Sequence, residues 1–331
     1  MKHFTFVALL MLASCTSSAP TPDPTRAPLF HERAVDNVYV TTTQYGTGSR
    51  ASGKDRILRF AAGMDTSTPN MAVELRESPS IGLAVSPRDG RVAIVFSNGR
   101  VQIRTKNLEK LYEIGPSFGS YGFPLSVAYD NAGNLWIGGW LGTDMGELYE
   151  YYGNDTEPDN TYHIPNASMD EPPYSVAFDK HDNLYVEGRF HVWIDCNTAT
   201  GCVNTAIPSF SRFLDEYYAY LAEIALLDGS KPRLVEATPK NYIKYYSPPA
   251  SGPTGNWIQT GRSKRCSSAK NMFIGYLAAD TNDTLYLTCE VSGAGSSGGS
   301  ANGTSLILEL HRDGSRNVIS GLTNPDGAVA Y

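Results

Sequence analysis

One short pattern of residues recurs along the chain and decides its fold. Pro124–Asp130 (PLSVAYD) is followed, after a turn, by Asn134–Ile137 (NLWI). Pro173–Asp179 (PYSVAFD) and Asn183–Val186 (NLYV) repeat this arrangement with few changes. Each copy has the character of a strand of small and β-branched residues, a polar turn and a second strand with aromatic and β-branched residues. The pattern therefore predicts repeated β-hairpins.

The hairpins recur at a regular spacing. Five alanines mark one position of the pattern, 44 to 53 residues apart, namely Ala84, Ala128, Ala177, Ala225 and Ala278. Repeats of about 40–50 residues made of short strands are typical of the four-stranded blades of a β-propeller. Pro325–Tyr331 has the character of a first strand without a second, and the segment from Asp36 that of a second strand without a first.

Pairing these two segments would complete one more blade and remove exposed strand edges. We therefore predict that residues 36–331 form an all-β, six-bladed β-propeller. Its ring is expected to close by the N-terminal strands together with the C-terminal inner strand.

The pattern Pro-x-Ser-Val-Ala-x-Asp, then Asn-Leu-Trp/Tyr, resembles that of NHL-repeat and gluconolactonase-like six-bladed propellers, from about Asp36 to Tyr331. The resemblance implies a divalent cation, such as calcium, at the mouth of the central channel, held by Asp, Asn and Glu side chains. Such a metal could polarise a lactone carbonyl. Asp326, in Pro-Asp-Gly, matches the aspartate ligand, and Glu223 is the candidate glutamate. Ile274 stands where the asparagine is expected.

Two functions are compatible with this pattern, because a fold does not by itself determine a function. Our leading interpretation is a binding or scaffolding module for a protein, a glycan or a small molecule. The alternative is a metal-dependent, lactonase-like hydrolase with its site at the channel mouth. The incomplete ligand set favours the first, so we assign no catalytic residue and no cofactor.

The first 14 residues predict export. Lys2 and His3 precede the apolar run Phe4–Leu12, which is shorter than the roughly 20 residues of a membrane-spanning helix. A positive start, a short apolar run and small residues are typical of a signal peptide. The alternative to the lipoprotein interpretation, which is given next, is an ordinary signal peptide followed by a chance cysteine.

Leu12-Ala13-Ser14-Cys15 resembles the lipobox of bacterial lipoproteins. The resemblance implies cleavage before Cys15 and attachment of lipid to its thiol, which would anchor the chain to a membrane of the cell envelope. Thr16, rather than Asp, follows the cysteine, which implies the outer membrane where the cell has one. Residues 15–35 would then be the lipidated cysteine and a tether rich in Ser, Thr and Pro.

Four further cysteines indicate disulfides, because an exported chain meets an oxidising environment. Four cysteines allow three pairings. Cys196 and Cys202 flank a turn-rich segment and would staple a hairpin, which leaves Cys266 for Cys289. A zinc site is the alternative, but no histidine is suitably spaced beside these cysteines.

The charge of the chain, its recurring aspartates and its many tyrosines each bear on possible partners or roles. The chain has 27 Lys+Arg against 34 Asp+Glu and a net charge of −7, without a basic block, which argues against nucleic acid as a partner. Asp130, Asp179 and Asp280 recur after the first strand of the hairpin, so we expect them to cap their own turns. The 20 tyrosines suit either recognition of a sugar or protein, or packing between blades.

Overall fold

The structure is a computed structural model of the whole chain. It describes residues 37–42, 55–76, 80–115, 123–140, 147–163, 173–188, 191–195, 205–208, 223–228, 233–238, 242–248, 258–264, 266, 272–280, 282–291, 305–322 and 325–330. The predicted signal peptide, Cys15 and the tether therefore lie outside the described residues. So do Cys196 and Cys202, with their predicted pairing.

The described strands form six four-stranded antiparallel sheets, which we number as blades 1 to 6 in the order of their positions around the ring. Blade 1 comprises β1 (Asn37–Thr42), β2 (Arg56–Ala61), β3 (Met71–Glu74) and β24 (Pro325–Ala330). Blade 2 comprises β4 (Ser80–Val85), β5 (Val92–Phe96), β6 (Val101–Arg104) and β7 (Lys110–Ile114). Blade 3 comprises β8 (Phe123–Tyr129), β9 (Leu135–Trp140), β10 (Glu147–Tyr151) and β11 (Asn160–His163).

Blade 4 comprises β12 (Ser175–Phe178), β13 (Leu184–Glu187), β14 (His191–Asp195) and β15 (Thr205–Pro208). Blade 5 comprises β16 (Glu223–Leu227), β17 (Arg233–Thr238), β18 (Tyr242–Ser247) and β19 (Ile258–Lys264). Blade 6 comprises β20 (Met272–Ala279), β21 (Leu285–Val291), β22 (Ser305–Leu310) and β23 (Arg316–Leu322). The described part contains no helix long and apolar enough to cross a membrane.

The sheets are arranged as a closed ring. The innermost strands contact one another in the order β4, β8, β12, β16, β20, β24 and back to β4. In blade 1 the innermost strand is β24, which pairs antiparallel with β1, with Val38 opposite Ala330 and Val40 opposite Ala328. The predicted all-β propeller and its closure by strands from both ends of the chain are thus confirmed.

Hydrophobic side chains fill the spaces between neighbouring blades, because each sheet has two faces to cover. Between blades 2 and 3, for example, Val95 and Ile103 pack with Ile137, and between blades 5 and 6 Val235 packs with Leu287. Small side chains of the first strand lie opposite large side chains of the second strand in the same blade. Ala128 lies opposite Trp136, and Ala177 lies opposite Tyr185.

One copy of the repeat is shifted relative to the prediction. In blade 5 Leu226 lies opposite Leu234, the position that Ala128 holds opposite Trp136 in blade 3, whereas Ala225 lies one residue earlier. A connection of five residues between the first and second strands fixes this register, as it does in blades 3, 4 and 6. The alanine in blade 5 therefore does not mark the equivalent position.

Candidate functional site

The described turns between the first and second strands, here called the inner turns, lie on one face of the ring. The aspartates in the inner turns of blades 3, 4 and 6 are structural. Asp130 Oδ1 accepts the N–H of Asn134 at 2.8 Å, and Asp280 Oδ1 accepts the N–H of Thr284 at 2.9 Å. Asp179 Oδ1 accepts two N–H groups of its own turn in the same way. The predicted turn-capping role of the three aspartates is confirmed.

Acidic groups also connect neighbouring blades on this face. Asp182 Oδ1 accepts the N–H of Asn131 at 2.8 Å, which joins blade 4 to blade 3, and Asp228 Oδ2 accepts the N–H of Lys180 at 2.8 Å, which joins blade 5 to blade 4. Desolvation by burial is the main reason that the pKa of Asp182 and that of Asp228 rise to about 6. The face is therefore acidic and partly dehydrated.

A cleft of about 340 Å³ opens on the same face between blades 6 and 1; we call it the blade 6–1 cleft. Blade 6 contributes the inner turn and β21 to one wall and the β22–β23 turn to another. Blade 1 contributes its β2–β3 turn. The lining residues are Ala62, Gly63, Asp280, Asn282, Thr284, Tyr286, His311, Arg312 and Asp313.

A buried carboxylate lies directly behind this cleft. Glu309 is fully buried, and its Oε2 accepts the N–H of Gly63 at 3.0 Å and the amide of Asn317 at 3.2 Å. The same oxygen lies 3.9 Å from His311 Nε2, and Thr284 Oγ1 lies 3.4 Å from His311 Nδ1. Glu309 Oε1 is buried and has no hydrogen-bond partner among the described residues. Desolvation raises the pKa of Glu309, although Asn317, Gly63 and His311 oppose the rise.

Blade 3 holds an equivalent carboxylate with more hydrogen-bond donors from the protein. Glu150 lies opposite Trp136 and Asn160, as Glu309 lies opposite Tyr286 and Asn317. Glu150 Oε2 accepts hydrogen bonds from Asn160 at 2.9 Å and from two phenols, Tyr162 at 2.9 Å and Tyr152 at 3.3 Å.

In blade 6 neither phenol is present at the equivalent position. His311 occupies the place of Tyr152, two residues after the glutamate, and Ile319 occupies the place of Tyr162. The blade 6 position therefore combines a buried carboxylate, fewer protein donors and an open cleft.

A second cleft, of about 210 Å³, lies between blades 5 and 6 and shares His311 and Arg312 with the first. Its lining includes Leu227, Leu285 and Leu310, and the guanidinium of Arg233 lies over the Tyr245 ring at 5.0 Å. It is smaller than the blade 6–1 cleft. The β22–β23 turn forms the wall between the two.

The residues predicted to hold a metal lie on innermost strands. Glu223 is the first residue of β16, and Asp326 is the second residue of β24. β20 contacts both of these strands and carries Ile274. The side chains of all three residues lie outside the described ones. None of residues 272–275 (Met-Phe-Ile-Gly) carries a side-chain oxygen, and the calcium site implied by the resemblance stays a prediction.

A tyrosine of blade 6 also forms a hydrogen bond with blade 2. Tyr276 of blade 6 donates its hydroxyl hydrogen bond to the carbonyl oxygen of Ile81 in blade 2, past the innermost strand of blade 1. Among the described residues, no group of three or more His, Cys, Asp or Glu is arranged to hold a metal ion. The polar groups that converge in the described part lie at the blade 6–1 cleft.

Another buried ionic group lies between blades 4 and 5. Glu236 is almost fully buried and accepts hydrogen bonds from Tyr246 at 2.8 Å and Lys244 at 3.2 Å. Desolvation raises the pKa of Glu236, and Lys244 opposes the rise. Neither of the two clefts described above is lined by this group, and we interpret it as part of the packing between the blades.

Glu309 and His311 were not among the residues that the sequence singled out. The search for repeats relied on the first two strands of each blade, which are the most similar. The signal lies in the third strand, where Glu150-Tyr151-Tyr152 corresponds to Glu309-Leu310-His311. Aligning the third strands would have revealed the change from Tyr152 to His311.

Comparison with known proteins places the chain in a fold class. No protein-family model and no curated protein matches the sequence. A protein of unknown function from Bacteroides caccae is similar in structure, with a TM-score of 0.58 over 90% of this chain and 99% of that one, at 13% identity. This similarity shows the fold alone.

Two lyases are less similar. A streptogramin B lyase has a TM-score of 0.49 over 87% of this chain and 84% of that chain, at 15% identity. A virginiamycin B lyase from Staphylococcus aureus has a TM-score of 0.45 over 73% and 84%, at 12% identity. The chain is an all-β propeller, and its function has to be argued from its own residues.

Proposed function

We propose that the chain is a lipid-anchored propeller of the bacterial cell envelope that binds a small polar ligand in the blade 6–1 cleft. The observation that carries this proposal is the convergence of a histidine and several hydrogen-bonding side chains on one cleft, with a buried glutamate behind them. A volume of about 340 Å³ is within the range of small-molecule sites. Polar lining groups of this kind fix the orientation of a ligand.

Binding explains this cleft better than hydrolysis does. Thr284, His311 and Glu309 are close enough to suggest a nucleophile, a base and an orienting acid. However, the Thr284 residue is only 4% exposed, so a substrate carbonyl has poor access to its hydroxyl. The N–H of Gly63, which lines the cleft, is used by Glu309 and does not remain for an oxyanion.

A steric test separates the cleft from the rest of the surface. Asn282→Trp places a bulky ring in the cleft from an exposed turn position, whereas His181→Trp makes the same change at the equivalent turn of blade 4. We expect ligands found in a thermal-shift screen of polar metabolites and sugars to lose their effect in Asn282→Trp and to keep it in His181→Trp. Lactone turnover that a chelator and Asp326→Ala both abolish would instead support the hydrolase.

Export and anchoring are the second part of the proposal. Cys266 and Cys289 form a disulfide, as predicted by elimination, and disulfides are typical of exported proteins. Cys15→Ser should remove the lipid, because the acyl groups attach to the thiol and amine of this residue. We expect the variant to lose incorporation of a labelled fatty acid and to leave the membrane fraction. Labelling equal to that of the wild type would contradict the lipoprotein assignment.

A further inference from the structure

We propose that the second cleft, between blades 5 and 6, binds a small organic anion whose carboxylate pairs with Arg233. We call it the blade 5–6 cleft. This inference goes beyond the proposed function, because it assigns a second site with its own ligand class, and neither assignment depends on the other. Three observations support it: the place of Arg233 in the repeat, the lack of acceptors for its guanidinium, and the charges of the cleft lining.

Arg233 stands at a position that is apolar in the other five blades. It is the first residue of β17, and it lies opposite Leu227 of the innermost strand. Strand pairing identifies the equivalent residues of blades 1, 2, 3, 4 and 6, all of them buried, as Val38, Val92, Leu135, Leu184 and Leu285. A guanidinium costs more free energy to bury between blades than these side chains do, unless an anion accompanies it. Packing between the blades therefore does not account for an arginine at this position.

The guanidinium of Arg233 lacks acceptors in the described part of the chain. Its central carbon lies over the Tyr245 ring, 5.0 Å from the ring centre. Its Nε is buried and has no hydrogen-bond partner among the described residues, and no described carboxylate forms an ion pair with it. The contact with Tyr245 holds the guanidinium without using its N–H donors. A carboxylate matches the remaining donors best, because it can accept two parallel hydrogen bonds from one guanidinium.

The charges of the lining also favour an anion. Arg233 and Arg312 both line the blade 5–6 cleft, and Asp283 is the one carboxylate of its lining. The guanidinium of Arg312 lies 3.7 Å from Asp283, so this carboxylate offsets the charge of Arg312. The charge of Arg233 is left without a counter-charge in the lining. A positive group attracts an anion most strongly where water is partly excluded, as in a cleft between blades.

The size of the cleft restricts the rest of the ligand. A volume of about 210 Å³ has room for about seven water molecules at roughly 30 Å³ each, which suits a carboxylate on one ring or a short branched chain. Apolar side chains that could contact such a group are also part of the lining, namely Leu227, Leu285 and Leu310.

Calorimetric titration of the full mature chain at low ionic strength tests the ligand class. The probes are benzoate and 3-methylbutanoate, each paired with its uncharged amide. We expect at least one carboxylate to bind about tenfold or more tightly than its amide, because hydrogen bonds in which both groups are charged are the stronger ones.

Arg233→Leu should weaken the binding of that carboxylate about tenfold, because the charge and the N–H donors are lost. The variant is expected to fold, since blades 3, 4 and 6 carry leucine at the equivalent position. Arg233→Gln, which keeps a polar side chain, should weaken binding similarly. Arg262→Leu is the matched control and should leave binding unchanged. Arg262 also lies over a tyrosine ring, that of Tyr242 at 3.6 Å, but it is exposed and does not line the cleft.

Carboxylate binding that is equally strong in the wild type and in either Arg233 variant would overturn the inference, as would failure of both carboxylates to bind. Binding that is lost in Asn282→Trp but kept in Arg233→Leu would also overturn it, because the anion would then occupy the blade 6–1 cleft. If Arg233→Leu weakens the carboxylates while the screen yields no ligand that Asn282→Trp blocks, the blade 5–6 site stands and the proposed function is rejected.

Discussion

Carboxylates between blades are partly buried, and burying their charged form lowers the free energy of unfolding by a measurable amount. Asp182 has φ of 59°, the left-handed region that Gly133 occupies at φ of 84° in the equivalent turn of blade 3. Its pKa rises to about 6, mainly because burial disfavours the charged form. A raised pKa in the folded state means that the folded chain binds this proton more tightly than the unfolded chain does.

The contribution of Asp182 to stability is therefore present below its unfolded pKa, near 4, and is lost as pH rises through about 6. Asparagine tolerates the left-handed region and can still accept the N–H of Asn131. We expect Asp182→Asn to raise the free energy of unfolding by about 1 kcal/mol at pH 7.5, a figure reduced for partial exposure. The gain should vanish near pH 4.

Urea denaturation at several pH values measures this difference. Asp155→Asn, at an exposed turn after β10, is the control and should show no such pH-dependent gain. A gain of equal size at pH 4 and pH 7.5 would mean that the charge of Asp182 is not responsible.

At the scale of single residues, the sequence predicted what recurs. The capping aspartates Asp130, Asp179 and Asp280 repeat in three copies, so their common role could be inferred without a structure. Glu309 escaped prediction because its significance depends on the absence of the two phenols that accompany Glu150. That difference becomes visible when the third and fourth strands of the two blades are aligned, which the search for the first-strand pattern did not do.

At the scale of elements, the hairpin formed by the first two strands of a blade is predictable, because its residues are close in sequence. Contacts between blades are harder to predict from the sequence. The β2–β3 turn of blade 1 lies against the outer strand of blade 6, where Thr66 N donates to Val318 O at 3.0 Å and Ser320 N donates to Thr66 O at 2.9 Å. Asp65 Oδ1 accepts the N–H of Val318 at 2.7 Å. The repeated sequence pattern does not predict this contact, because it joins residues about 250 positions apart.

The disulfide constrains the start of blade 6. Cys266 precedes β20, and the buried Cys289 lies in β21, 23 residues later. Closing a loop of this length reduces the entropy of the unfolded chain, which corresponds to about 3 kcal/mol. We expect Cys266→Ala combined with Cys289→Ala to lower the free energy of unfolding by about that amount.

Equilibrium unfolding in urea measures the loss, and a reducing agent provides the matched comparison. The reductant should destabilise the wild type to the level of the double variant and leave the double variant unchanged. Equal stability of wild type and variant without reductant would show that the loop is already ordered in the unfolded ensemble.

At the scale of the whole molecule, β24 is the only strand of the six described sheets that comes from a distant part of the chain. Deleting Pro325–Tyr331 removes the innermost strand of blade 1 and exposes the edge of β1. We expect a loss of several kcal/mol, a large share of the roughly 5–15 kcal/mol that stabilises a domain. A melting temperature equal to that of the full chain would contradict closure by β24.

Closure was predictable because the two segments lack complementary parts of one repeat. The cleft was not, since its walls come from three turns of blades 6 and 1 that meet only once the ring is closed. The channel-mouth site remains a sequence prediction for Glu223 and Asp326, whose side chains lie outside the described residues. The sequence thus predicts the architecture well and the chemistry of the surface poorly.

The pairing of β1 with β24 also determines when the ring can close during synthesis of the chain. The two strands are separated by about 280 residues, so β1 leaves the ribosome long before its partner exists. At about 5–20 residues per second, synthesis of the intervening chain takes tens of seconds. During that interval the nascent polypeptide cannot complete its native ring. A secretion channel that accepts only unfolded chains would therefore receive a chain whose ring cannot yet have closed.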